Sequence, residues 1–110
     1  MEVLFAKRKL ERRFNSETET RKAYGEPMAK KIALRLQQMN AARHLGDLRD
    51  LLGRWHELTG DLQGCLACGL TGPHRLIFRP TEEPPPRSAD GGLDWSAVDS
   101  VTVVQIDDYH

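Results

Sequence analysis

Five side chains capable of proton or phosphate chemistry sit in stretches that alternate as strands do. His56 lies in "RWHEL" and Arg75 in "HRLIF", while Asp108, Tyr109 and His110 close the sequence in "QIDDYH". An imidazole titrates near neutral pH, so one can accept a proton while another donates one. A guanidinium fork grips a phosphate and stabilises the charge that builds on it during transfer. A tyrosine or tryptophan stacks on an unpaired base. Together these groups suit metal-free cleavage of RNA, in which the ribose 2′-OH attacks the neighbouring phosphorus and the 5′-oxygen leaves. Each also fits a plainer role. His56 also reads as an exposed strand histidine, Arg75 as a sheet-face arginine and Tyr109 as a lid on the core edge. Asp108 reads as a partner for a helix lysine, and His110 as an ordinary chain end. Zinc ligation by His56, His74 and His110 has no ligand spacing behind it.

Such groups need a sheet to hold them, and the sequence divides accordingly. "EVLFA" is a strand candidate, followed by "KRKLERRF" with Leu10 and Phe14 on one helix face. Ser16 and Glu19 have capping-box spacing, which restarts or continues the helix, and Tyr24-Gly25 stops it. "EPMAKKIALRLQQMNAAR" is the clearest helix. Pro27 suits its first turn. Met28, Ile32, Leu36 and Met39 recur at helical spacing, with Lys30, Lys31 and Arg35 off that stripe. "GDLRDLLG" predicts a short helical turn capped by Asp47 and stopped by Gly53.

Beyond Gly53 the apolar period falls to two, giving strand candidates "RWHEL", "GCLACGL", "HRLIF" and "SVTVVQIDDYH". "TGDLQ" and "TGP" are turn chemistry for antiparallel hairpins. Residues 80–94 form a polar loop rich in proline, and "DWSAV" makes one helical turn capped by Asp94 or Ser96. Alternation pairs His56 with Leu58 on one face and turns Arg75, Ile77 and Arg79 outward, away from Leu76 and Phe78. It also places Asp108 and His110 on one face and Tyr109 on the other, unless a bulge intervenes. The expected architecture is α+β: an N-terminal strand and helices packed on one face of an antiparallel sheet. The other face is left to water or a ligand.

A chain of 110 residues fits a single domain over 1–110, with the 80–94 loop inside it. With 39% hydrophobic and 29% charged residues, it is neither disordered nor membrane-like in composition. The apolar run in "MEVLFAKRKL" precedes its basic residues, the reverse of a signal peptide, so a soluble, cytoplasmic protein is expected. Zero formal charge hides a split: the residues through Trp55 sum to +6 and the remainder to −6. A basic half can engage a polyanion, although solvated helix faces give the same count. Cys65 and Cys68 form a C-x-x-C, but side chains three apart in a strand point to opposite faces, so space-filling is the expected role.

The stretches "LRDLLGRWHELTGDLQG", "GPHRLIF" and "GLDWSAVDSVTVVQIDDYH", together with the basic helical first half, carry a likeness over nearly the whole chain. They resemble the RelE/ParE-superfamily toxins of bacterial type II toxin–antitoxin systems, in particular the HigB-like branch. The resemblance implies a RelE-like fold and translation-dependent cleavage of mRNA in the ribosomal decoding site, with no cofactor. It implies neutralisation by a cognate antitoxin, commonly a helix-turn-helix protein of the HigA kind, through which alone operator DNA is bound. By motif, His56 and His110 take acid and base roles and Arg75 holds the phosphate. Asp108 orients an imidazole or contacts RNA, and Tyr109 stacks or assists proton transfer. Lys7, Arg8, Lys30, Lys31, Arg35, Arg54 and Arg79 are the cations expected to meet RNA and ribosome. The superfamily also includes ParE-type toxins that inhibit gyrase by binding, without nuclease activity, which is the alternative function.

Overall fold

Leu10 and Phe14, one helical turn apart, can be buried only if a second helix and a strand close over them, and this is how the chain begins. A computed structural model describes residues 1–108. Strand β1 (Glu2–Phe5) leads into α1 (Arg8–Phe14), where Phe14 packs edge-on to Phe5 at 5.9 Å and against Tyr24 at 6.1 Å. The Ser16 side chain accepts from Glu19 N–H at 3.2 Å and starts a separate helix, α2 (Glu17–Tyr24). Thr20 fixes the corner by donating to the carbonyls of Arg13 and Ser16. Gly25, at φ 87°, ends α2 and opens α3 (Glu26–Ala41) directly, with Pro27 in the first turn. Met28, Ile32 and Met39 are buried along α3 as the spacing predicts.

Asp47 does not cap the next turn. A 3₁₀ turn over Leu45–Leu48 starts after His44, and Asp47 instead accepts from the backbone and side chain of Arg43. The hydrogen bonds from Arg43 hold the Asp47 carboxyl well below the usual carboxylate range. The chain choice is physical: Leu45 and Leu48 both need burial, and the tighter turn buries both completely.

Among the described residues the remaining strands are β2 (His56–Glu57), β3 (Leu66–Gly69), β4 (His74–Pro80) and β5 (Ser100–Asp108). One sheet results, ordered β1-β5-β4-β3-β2. It is mixed, not antiparallel throughout: β1 runs parallel to β5, from Glu2 beside Ser100 to Phe5 beside Val103, while the other pairs are antiparallel. The architecture is thus α+β. β2 is far shorter than the "RWHEL" expectation, because Arg54 at φ 57° breaks it on one side. On the other, Leu58 N–H closes onto Cys65 O across a 3₁₀ turn at Gly60–Leu62.

Leu76, Phe78, Val101 and Val103 face the main core under the helices. The opposite face is not open throughout. Ile77, expected to point outward, does so but is fully buried with Leu58 and Ala67 under Leu62, Cys65 and Val104. The 80–94 loop carries its own short ladder, with Arg87 bridging Leu93 and Ser88 N–H donating to Gly92 O at 2.8 Å. A 3₁₀ turn follows at Trp95–Ala97, after Asp94, whose side chain makes no capping bond. Trp95 is buried there, donating to Glu57 Oε2 at 3.0 Å beneath the Arg49 guanidinium. Among the described residues no helix is long and apolar enough to cross a membrane.

Candidate functional site

Among the described residues, the early end of β2 leaves one corner of the sheet uncovered. Gly53, at φ 133°, brings the chain against α3 where any side chain would collide. An added Cβ would lie 2.8 Å from the Arg35 guanidinium carbon and 3.0 Å from Trp55 Nε1. Gly53 O accepts from Gly69 N–H at 2.7 Å, which ties this turn to β3. Arg54 then takes the left-handed conformation and sets His56 on the outer face. His56 Nδ1 sits 2.6 Å from Arg54 O. A carbonyl only accepts, so Nδ1 is the donor in this contact, which leaves Nε2 as the ring nitrogen available for proton exchange.

Across the sheet His56 is in register with Ala67, and Arg75 with Gly69 on one side and Asp107 on the other. His56 and Arg75 therefore rise from the same face, separated by two of the smallest side chains. Arg75 donates through Nε at 3.0 Å and Nη2 at 2.8 Å to the same Asp107 oxygen. The result is a cleft of about 500 Å³ lined by Arg35, Arg54, His56, Gly69, His74 and Arg75 among others, with no carboxylate among its described lining residues. His74 lies at the tight β3–β4 turn, its Nδ1 3.2 Å from Thr71 O. Such a cleft favours an anion: guanidinium groups supply fixed positive charge, and the imidazole supplies a base.

The structure thus brings His56, Arg75 and Arg54 together. It does not bring Asp108 to them. Asp108 pairs in register with His74, on the face opposite Arg75, and is exposed. Tyr109 and His110 lie outside the described residues. Lys7, Arg8 and Lys30 are exposed and Lys31 is half-buried, on the helical side of the molecule. Arg79 is half-buried on β4, donating to Pro80 O at 3.4 Å.

Arg35 is a correction: it is not a solvated cation but is only 7% exposed. Its Nε donates to Gly69 O at 2.8 Å, and Nη1 donates to Gln38 Oε1 at 3.0 Å and Leu52 O at 3.2 Å. It holds the back wall of the cleft. The signal was present in the sequence, since Arg35 stands three residues after Ile32 and four before Met39, on the buried stripe.

Asp107 is the carboxylate that the sequence reading passed over in favour of its neighbour. A bulge between Ile77 and Phe78 on the β5 side shifts the phase of the strand. The signal for it is "VTVVQI", where the core residues Val101 and Val103 give way to Ile106 rather than to residue 105.

The cysteines divide as alternation predicts. Cys68 is fully buried in the main core, where desolvation pushes its thiol up to about 12, so it stays protonated. Cys65 packs on the other side with Leu58 and Ile77, and both thiols are free.

No protein-family model matches the chain, and no curated protein matches it. The fold and cleft define an α+β protein with a cationic, histidine-bearing corner on one face of its sheet.

Proposed function

We propose that the chain is a toxin of a bacterial type II toxin–antitoxin system, of the RelE/ParE superfamily and its HigB-like branch. Its activity is ribosome-dependent cleavage of mRNA in the cytoplasm. The observation that supports this most is the meeting of His56 and Arg75 in one cleft without a carboxylate among its described lining residues. A phosphodiester is a permanent anion, and a lining of this sign concentrates it without repelling it.

In this mechanism Arg75 and Arg54 hold the scissile phosphate, and Arg75 stabilises the extra negative charge as the 2′-oxygen attacks phosphorus. His56 Nε2 exchanges the proton, taking it from the 2′-OH or giving it to the departing 5′-oxygen. His110 takes the complementary role, so one proton is removed and one supplied. Tyr109 is assigned to stacking the base, and Asp108, on the face opposite Arg75, to contacting RNA. The products are a 2′,3′-cyclic phosphate and a free 5′-hydroxyl, and no metal or cofactor is required by the scheme. A helix-turn-helix antitoxin neutralises the protein and supplies contact to operator DNA.

Induced expression in a bacterium of the whole chain and of a chain lacking Asp108, Tyr109 and His110 tests the proposal. The whole chain should arrest growth and leave cut mRNA, and the shortened one should do neither. Growth arrest with intact mRNA and induced DNA-damage signalling would instead favour gyrase inhibition of the ParE type.

A further inference from the structure

The cationic cleft has a carboxylate standing directly behind one of its arginines. Asp107 lies opposite Arg75 on β5, and one of its oxygens accepts from both donors on one edge of the guanidinium. Neither side chain is loose: they are 17% and 25% exposed. On the other side of Arg75, in register on β3, is Gly69. The fold does not demand glycine there. Gly69 has no left-handed φ, and among the described residues an added Cβ would meet only Gly53 O at 3.5 Å, an ordinary contact. Gly69 therefore sets no side chain of its own beside the guanidinium.

An arginine on a sheet face normally swings among rotamers, and a ligand that grips it must first stop that motion. Pairing one edge with Asp107 holds the plane of the fork before any ligand arrives. We propose that Asp107 is the positioning residue of this cleft, fixing the Arg75 fork in the plane in which, above Gly69, an RNA phosphodiester is held. This rests on the RNA-cleaving function proposed above and names the residues that seat its substrate.

Charge alone predicts the opposite of positioning, which makes the sign of one substitution decisive. Asp107 partly offsets the charge of Arg75, so on electrostatics alone Asp107→Asn should tighten anion binding. Positioning requires that it weaken binding.

The experiment titrates the purified full chain with uridine 3′-monophosphate, following the affinity and the Arg75 Nε–H resonance. Asp107→Asn should weaken binding by roughly tenfold and speed exchange of that proton with solvent, and Asp107→Glu should restore part of the affinity. Gly69→Val, a substitution strands tolerate well, should block binding while the melting temperature holds. Equal or tighter binding by Asp107→Asn, unaltered binding by Gly69→Val, or no binding by the wild type overturns the inference. Cleavage of mRNA by the wild type is measured alongside. Its absence with the expected binding order intact removes the nuclease function and leaves the role of Asp107. Its presence with a reversed order removes the role of Asp107 alone.

Discussion

Arg35→Ala should cost the protein both stability and its cleft. The guanidinium is 7% exposed and donates to two backbone carbonyls, Gly69 O and Leu52 O, and to Gln38 Oε1. It also lies 6.0 Å from the Trp55 ring centre. Truncation removes those donors and opens a void against Gly53, whose backbone approaches the guanidinium too closely for any side chain. Hydrogen bonds from a charged donor contribute about 1.5–3 kcal/mol each, but they are not additive, and water entering the void recovers part of the loss. A net destabilisation of roughly 3 kcal/mol is expected, within the range for breaking a buried network. For a domain of this size that lowers the melting temperature by on the order of 10–20 °C. Arg35→Lys should recover little, because an ammonium has no planar fork to reach carbonyls on two segments at once. The assay is thermal unfolding followed by far-UV circular dichroism, with Lys30→Ala as the exposed control from the same helix. A melting temperature for Arg35→Ala within about 3 °C of wild type would refute the claim that this arginine ties α3 to β3.

His56→Ala should reduce mRNA cleavage by at least about 100-fold, the lower range for a general acid or base, with an unchanged melting temperature because the ring is exposed; cleavage within a few-fold of wild type removes the residue from the chemistry. Replacing Lys7, Arg8 and Lys30 together by alanine should lower the slope of log affinity for single-stranded RNA against log salt by about 2. An unaltered slope would leave these exposed charges as plain solvated surface. Native-state alkylation at pH 8 should label Cys65 well before Cys68, whose thiol burial pushes up to about 12; equal labelling rates would mean that the core opens readily at β3. The Asp47 carboxyl is depressed chiefly by its hydrogen bond from the Arg43 side chain, so its contribution to stability is full above the ordinary carboxylate range and falls as acid titrates it. The difference in denaturation midpoint between wild type and Asp47→Asn should therefore shrink as pH drops below about 4, and a constant difference would dissociate that stability from the charge.

Local signals were legible because their causes are local. Ser16 reaches a backbone N–H three residues on, Gly25 supplies a positive φ between two helices, and Pro27 fills a first turn. None depends on a distant partner. The pairing of β1 with β5 does, and its parallel direction joins residues at opposite ends of the chain. Alternation reports which face a side chain takes but not which strand lies alongside. Arg35 was misplaced for a different reason. Its position was on the buried stripe, and its charge argued it off; the deciding fact was a set of backbone carbonyls left unpaired where β2 stops short, which no helical period reveals.

The same distinction governs the terminal strand. In "QIDDYH" two adjacent carboxylates look equivalent, and regular alternation cannot choose between them without a fixed register. The register is set upstream, where Ile77 pairs with Gln105 but Phe78 pairs with Val103, leaving Val104 as the extra residue. That single residue turns Asp107 toward Arg75 and Asp108 toward the His74 side. A regular ladder through Val104 would reverse the assignment, placing Asp107 opposite His74, because a one-residue shift moves every later side chain to the other face. It would also carry Ile106 out of the main core to a position opposite Arg75, so packing and the arginine together favour the bulge. The bulge is therefore the element that couples core register to the charge pattern of the cleft.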